Sequence, residues 1–282
     1  MEKLCLYYCA MFIFAPTVSL AMTSVTLHGV TDKLSPPYEK YTSALETAAA
    51  AFREVEALFN DRSFVEKVGW KVDEKNDQGD VVYAKVTPKG KMVSISTELP
   101  LDVDSVMNET WTGVERLPEW NPSINFARTV ASPTPNFDII TYGNNDVLVV
   151  SGRDFVSARI YRKTSSGYIL ASRSVRLKEV PEQKGRRSLT SIRGILGDKM
   201  FVKHFRSAVI ETELLLAGAR FTRHPQKADV TSTDVVMQAD LKGLLPKFVV
   251  NKASVLYWAR SCSQTQRKTG VISMTSKIDE IG

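Results

Sequence analysis

The chain has 282 residues, of which 43% are hydrophobic, enough for one large domain or two small ones with a buried core. Its formal net charge of +6 favours anionic partners, but the basic residues are scattered among acidic ones, as on an ordinary solvated surface. The three cysteines, Cys5, Cys9 and Cys262, form no CxxC pair, which argues against a disulfide framework or a zinc site.

The first 24 residues form an apolar segment whose role has three alternatives. Residues 4–22 are nearly all apolar, interrupted only by Pro16, Thr17 and Ser19, and they reach about the minimum length of a membrane span. The same stretch fits a secretory signal. A membrane anchor, a signal peptide and an artefact of the gene model therefore all stay open.

Hydrophobic periodicity predicts three helices separated by two sets of strands. Leu45, Ala49 and Phe52 recur at helical spacing in the first helix, and Asp102 or Asp104 is suited to cap the second. The helices are expected at residues 38–60, 102–116 and 244–261. Alternation and β-branched residues predict strands at 70–72, 81–86, 92–96, within 125–163, and at 168–177 and 230–240. This order favours an α+β fold in which terminal helices enclose an antiparallel sheet.

The most specific pattern is VVSGRDFVSAR at residues 149–159. It resembles the signature of the steroidogenic-acute-regulatory-protein-related lipid-transfer (START) family, and in particular the family's cholesterol-binding branch. Further segments resemble the same family in the same order over residues 38–252. They are GDVVY at 79–83, EWNP at 119–122, PEQKG at 181–185 and DLKG at 240–243.

The resemblance implies a helix-grip fold, a curved antiparallel sheet that encloses a lipid tunnel with its N- and C-terminal helices. It places the lipid-binding domain at residues 38–267, after a linker at 25–37 and before a tail at 268–282. Residues 195–217 stand out as an insertion relative to the family. An alternative exon or a retained intron is an alternative to a functional insertion, and a real insertion is expected to form an extra helix at the sheet edge.

The ligand site is inferred chiefly from the same resemblance. The family places the last arginine of the signature, Arg159, inside the tunnel, where its permanent charge needs a partner. The acid that relatives supply on the preceding strand is replaced here by Gly143. Asp146 is the expected substitute, and Tyr142 is a neutral hydrogen-bond donor. The apolar wall is carried over from the family onto three positions, Leu170, Leu241 and Phe248.

No catalytic residue or metal ligand is predicted, because His28, His204 and His224 lie far apart and no known nucleophile or nucleotide motif occurs. The expected function is non-enzymatic: one sterol, cholesterol, is bound and moved between membranes, with no cofactor beyond that lipid. A carotenoid ligand, as in invertebrate relatives, or a non-transporting interaction protein are the alternatives. Nucleic acid is not an expected partner. The resemblance further implies a cytoplasmic monomer at a late endosomal or mitochondrial membrane, whether peripheral or anchored.

Overall fold

The computed structural model describes residues 24–75, 81–121, 124–144, 154–180, 191–196, 199–204 and 213–240. Within them it confirms the α+β class. The helices are α1 (Thr42–Asn60), α2 (Arg62–Val65), α3 (Val103–Thr112) and α4 (Leu117–Trp120). The strands before α3 are β1 (Ser24–Leu27), β2 (Val30–Lys33), β3 (Lys71–Lys75), β4 (Val81–Thr87) and β5 (Gly90–Leu99). The later strands are β6 (Ile124–Thr134), β7 (Phe137–Asn144), β8 (Asp154–Lys163), β9 (Gly167–Ser174), β10 (Ser191–Leu196), β11 (Lys199–His204), β12 (Glu213–Arg223) and β13 (Thr231–Asp240).

Nine of these strands form one sheet in the order β3-β4-β5-β13-β12-β9-β8-β7-β6. Every neighbouring pair in it is antiparallel. Most neighbours are consecutive in the chain and are joined by short connections, whereas β13 pairs with β5 across the middle of the sequence. Side chains alternate between the two faces of such a sheet, so each face has its own set of residues.

One face of the sheet, here called the α1 face, packs against α1. The helix presents small and aromatic residues at helical spacing, and a buried cluster joins them to alternate residues of β7, β8, β9, β12 and β13. Helix α1 lies close to the sheet at Gly218 of β12, where an added Cβ would lie 2.4 Å from a methyl carbon of Val55. A glycine is therefore required on β12 beneath the helix.

The opposite face, here called the α3 face, packs against α3. Asp102 caps this helix by accepting hydrogen bonds from the backbone amides of Asp104 and Ser105, at 3.1 and 3.0 Å. The predicted helix at 102–116 is thus confirmed in its first part, and two shorter helical segments follow after Gly113. The apolar side of α3 covers alternate residues of β4, β5, β12 and β13.

Residues 24–33, which overlap the linker predicted at 25–37, have regular secondary structure. They form the β1–β2 hairpin, which packs into the cluster on the α1 face through Val25 and Leu27. The guanidinium of Arg162, which is fully buried on β8, donates to the backbone oxygen of Leu27 at 2.9 Å and to the carboxylate of Asp32. The hairpin therefore supplies the groups that satisfy a buried charge of the central sheet.

The described residues of the segment 195–217, where the sequence suggested an extra helix, are in strands. Strands β10 and β11 pair as a separate two-stranded sheet, and the part from Glu213 onward belongs to β12 in the central sheet. Leu214 and Leu216 are buried there and alternate with less buried neighbours, which is the period of a strand. The C-terminal end of the expected insertion is therefore part of the core.

Candidate ligand-binding site

A buried ion pair lies on the α3 face between β7 and β8. Arg159 and Asp138 are direct cross-strand partners. The Nε atom of Arg159 donates to Oδ1 of Asp138 at 2.8 Å, and its Nη2 donates to Oδ2 at 2.5 Å. Both residues are buried, with 6% and 4% of their surfaces exposed, so this two-point contact is held away from bulk water.

The C-terminal end of α3 completes the surroundings of Arg159. The guanidinium donates to the backbone oxygens of Thr110 at 3.2 Å and Trp111 at 3.0 Å. It also lies over the indole ring of Trp111, with its central carbon 4.5 Å from the ring centre. These contacts use four of the five N–H groups of the guanidinium.

Among the described residues, the acid that pairs with Arg159 is Asp138, at the start of β7. Asp146, the expected substitute, lies outside the described residues. An acid at Gly143 is sterically excluded, because an added Cβ would lie 2.3 Å from the ring of Phe126 and 2.6 Å from a carboxylate oxygen of Asp154. The register of β7 and β8 places Asp138, and not position 143, directly opposite Arg159.

The pKa of Asp138 responds to two opposing influences. Burial raises it, since the carboxylate has lost most of its hydration. The hydrogen bonds and charge of Arg159 lower it. With the arginine in two-point contact, the pair as a whole carries no net charge when both groups are ionised.

Two further polar residues lie on the same face, farther along β7 and β8. The ring of Tyr142 stacks on that of Phe155, its cross-strand partner, at 5.0 Å. Burial raises the pKa of Tyr142 to about 12, although the nearby Ser157 hydroxyl opposes that rise. Tyr142 is uncharged at neutral pH, as an ordinary tyrosine also is. Ser157 is fully buried.

The apolar wall is described in part. Leu170 lies on β9 opposite Tyr161 and packs with the cluster beneath α3, whereas Leu241 and Phe248 lie outside the described residues. One pocket on this face has a volume of about 10 Å³ and is lined by Val82, Val93, Ser94, Ile95, Val235 and Met237. Ligand pockets usually measure several hundred Å³, so the pocket between these six residues is too small for a lipid.

Asp138, Trp111 and Ser157 were missed as members of the site. Asp138 is an even number of positions from Tyr142 in β7, and Ser157 is two positions from Arg159 in β8. Residues at such spacing share one face of a strand, and this spacing is the signal that could have found them. No comparable signal exists for Trp111, because its backbone oxygen and its ring reach Arg159 from a helix 48 residues earlier in the chain.

Comparison with known proteins gives consistent results. A family model described as the START domain matches residues 51–269. Steroidogenic acute regulatory-like protein 1 of Caenorhabditis elegans is 56% identical over 229 residues, which cover 81% of this chain and 80% of that protein. Steroidogenic acute regulatory protein of Xenopus laevis is 29% identical over 194 residues, and the match covers 65% of this chain but only 58% of that protein.

The fold is also similar to a solved structure, that of human StAR-related lipid transfer protein 5. The TM-score is 0.62 at 16% sequence identity, and the match covers 80% of this chain and 96% of that one. At this identity the likeness concerns the fold alone. The match of the family model over most of the chain, together with the 56% identity to the nematode relative, shows that this chain belongs to the START family.

Proposed function

We propose that the protein is a non-enzymatic lipid carrier that binds one sterol, with cholesterol favoured, and transfers it between membranes. The observation that carries this proposal is the α3 face of the sheet. It combines an apolar cluster beneath α3 with a buried ion pair whose charges cancel, Asp138 with Arg159. An apolar molecule with one small polar end is the ligand that such a face suits best.

Burial of the apolar body of the ligand supplies the driving force. Removing apolar surface from water is favourable by roughly 25 cal/mol per Å², so a sterol of several hundred Å² gains on the order of 10 kcal/mol before the costs of binding. The small pocket at Val82 and Ile95 must open for this gain to be realised. Uptake is therefore expected to be coupled to separation of the elements that cover the face.

The electrostatics of the polar end favour an uncharged ligand. Arg159 is neutralised by Asp138 and further satisfied by two backbone oxygens, so it offers no free positive charge to a fatty acid or a phospholipid head group. Tyr142 is protonated at neutral pH, as any tyrosine is, and burial raises its pKa further, to about 12. A neutral hydroxyl, the only polar group of cholesterol, matches this environment.

The relatives support lipid transfer as the general activity. The nematode relative is named a steroidogenic acute regulatory-like protein, and the Xenopus relative is named a steroidogenic acute regulatory protein. The structurally similar human protein is named a lipid transfer protein.

We extend lipid transfer to the present chain, as a monomer that contacts membrane surfaces on their cytosolic side. A mitochondrial or late endosomal membrane is the proposed location. No described helix has both the length and the hydropathy of a membrane-spanning segment.

The first test is native mass spectrometry of the full chain purified from a lysate that contains lipids, with an absorbance scan of the same sample. One sterol mass per chain supports the proposal. A visible absorbance band identifies a carotenoid in its place and overturns the choice of ligand. A chain that is empty and refuses added cholesterol overturns the carrier function and favours an interaction protein.

A matched pair of variants then tests the site. Arg159→Leu leaves the Asp138 carboxylate buried without its partner, and we expect it to lower cholesterol affinity at least tenfold. Arg220→Leu is the control, because Arg220 also pairs with a cross-strand acid, Asp234, but on the α1 face and in a partly exposed position. Equal affinities of the two folded variants would contradict the proposed position of the site.

A further inference from the structure

Four exposed valines lie close together near the free edge of the central sheet. Five large hydrophobic residues are exposed in the described part of the chain, and four of them fall between positions 65 and 86. They are Val65, Val68, Val72 and Val86, with 61, 57, 64 and 86% of their surfaces exposed. Single valines are normal on a protein surface, whereas a group of them marks an interaction site.

Val65 and Val68 are held outward by the turn between α1 and β3. Backbone hydrogen bonds of 2.8–3.2 Å fold residues 61–70 into a compact unit. On its inner side the rings of Phe64 and Trp70 are buried and meet edge to face at 5.6 Å. The two valines are on the outer side, so a defined fold of the chain exposes them.

Val72 and Val86 lie beside this turn, at the end of the sheet where the edge strand β3 begins and β4 ends. An added Cβ at Gly69 would lie 3.9 Å from Cε of Lys85, so the turn lies against the residue that precedes Val86. Val72 pairs with Tyr83 and shares its face, whereas Val86 is three positions farther along β4 and lies on the other face. These two valines flank a region, here called the β3–β4 corner, that comprises residues 62–73 and 85–91.

The β3–β4 corner has an excess of positive charge, with six basic and two acidic residues. Both acids are already paired at 2.7 Å within the corner, Glu66 with Arg62 and Asp73 with Lys91. Among the described residues, no ion pair involves the other lysines of the corner, which are Lys67, Lys71, Lys85 and Lys89. The corner therefore attracts anionic groups.

The turn between β4 and β5 presents Lys89 in a fixed position. The Thr87 hydroxyl donates to the backbone oxygen of Gly90 at 2.8 Å, which closes the turn. The buried amide of Gln238 donates to the same hydroxyl at 2.6 Å and ties the turn to β13. Lys89 is thus carried by an ordered part of the sheet.

The types of exposed residue distinguish a membrane from a protein partner. The centres of protein interfaces are enriched in aromatic residues and depleted in lysine. At the corner the rings of Phe64 and Trp70 are turned inward, and valine methyls and lysine ammoniums are exposed. Such valines can enter the boundary between head groups and acyl chains, while the lysines attract anionic head groups.

We propose that the β3–β4 corner is the surface that docks on membranes containing anionic lipids. The exposed lysines Lys71 and Lys89 contact the head-group phosphates, and the exposed valines contact the apolar boundary beneath them. This inference rests on the proposed carrier function, since a carrier has to meet the membranes that it serves, and it adds the surface and the lipid charge that this contact uses.

The test measures hydrogen exchange by mass spectrometry on the full chain, with and without vesicles of phosphatidylcholine that contain about one fifth phosphatidylserine. The amides of residues 65–70 and 87–90 are expected to exchange about fivefold more slowly when these vesicles are present. Vesicles of phosphatidylcholine alone should have a smaller effect. The β1–β2 hairpin is the internal reference and should keep its rate.

Two double variants then separate charge from apolar contact. Lys71→Gln with Lys89→Gln should raise the lipid concentration that gives half of the protection by about thirtyfold. Val65→Ser with Val68→Ser should raise it by about tenfold. All four positions are exposed, and melting curves confirm that the variants fold.

The matched control is Val30→Ser with Lys33→Gln. It changes the same residue types at exposed positions of β2, outside the corner, and should leave the lipid concentration unchanged. If the chain pellets with the vesicles while the corner stays unprotected, or if both corner variants behave as this control does, the inference is wrong. Corner amides that lipid-free lysate protein slows and vesicles do not would identify a protein partner and also overturn it.

Cholesterol binding, measured by native mass spectrometry, separates this inference from the carrier function. The corner variants should bind one cholesterol as the unmodified chain does. An unmodified chain that docks through the corner but binds no cholesterol would overturn the carrier function and leave the docking surface in place. A chain that binds cholesterol without protection of the corner would have the opposite meaning.

Discussion

Asp138 and Arg159 lie directly opposite each other on β7 and β8, and two hydrogen bonds of 2.8 and 2.5 Å join them in a buried site. The register of two strands, rather than nearness in the sequence, creates this pair, since 21 positions separate the residues. The arginine also holds the end of α3 through the backbone oxygens of Thr110 and Trp111. One residue thus links the sheet, the helix that covers it and the polar end of the proposed site.

The first prediction concerns the stability of this pair. Asp138→Leu or Arg159→Leu should each cost about 3–5 kcal/mol in the free energy of unfolding, because each leaves one buried charge unpaired. The double variant should recover at least half of that loss, since it leaves no charge behind. Urea unfolding of the three variants measures both effects. Losses that simply add in the double variant would contradict the account.

The second prediction concerns the β1–β2 hairpin. Asp32 accepts hydrogen bonds from the buried guanidinium of Arg162 and from the hydroxyl of Thr134. Asp32→Asn should therefore cost about 3 kcal/mol in the free energy of unfolding. Lys33→Ala, at the neighbouring exposed position, is the control and should change stability by less than about 0.5 kcal/mol. If the two changes have equal effects, the hairpin does not stabilise the buried arginine.

Local signals predicted part of the fold. The helix at 42–60 follows from its own apolar spacing, and Asp102 caps α3 because its side chain suits that position by itself. The hairpin at 24–33 was missed for a physical reason. Its strands have four residues each, and their stabilising partner, Arg162, is 130 positions from Asp32 along the chain. The sequence of the hairpin alone therefore does not predict that Arg162 is its partner.

At the candidate site, too, the sequence predicted the chemistry of single residues but not which residues lie next to each other in the fold. The chemistry of Arg159 and Tyr142 follows from their residue types and a family resemblance. The identity of the acid does not, because a strand shows which residues share a face but not which of them lies opposite a given residue of its neighbour. Asp138, Gly143 and Asp146 could not be ranked until the pairing of β7 with β8 was known.

The third prediction tests the approach of α1 to the sheet. Gly218→Ala places a methyl group 2.4–2.6 Å from side-chain carbons of Val55, which requires the helix or the strand to shift. The expected cost is about 1–3 kcal/mol in the free energy of unfolding. Val55→Ala in the same chain creates space for the new methyl group, so the double variant should be more stable than the sum of the single losses predicts. An additive result from urea unfolding would contradict the contact.

The fourth prediction uses the pKa of Tyr142, which burial raises from 10.0 to about 12. As the pH rises through 10, an ordinary tyrosine of the unfolded chain loses its proton while Tyr142 in the folded chain retains it. The unfolded state then binds fewer protons than the folded state, so this residue's contribution to stability is complete below pH 10 and is lost between pH 10 and 12.

Tyr142→Phe removes that dependence and is the comparison to make. From pH 9 to pH 11 the unmodified chain should lose about 1 kcal/mol more of its free energy of unfolding than the variant does. Urea unfolding at pH 9, 10 and 11 measures the difference, and tyrosinate absorbance identifies the group that ionises last. Parallel stability curves for the two chains would show that the phenol of Tyr142 is hydrated. The hydroxyl beside Ser157 would then be exposed to water, which would also weaken the case for a dry polar end to the ligand site.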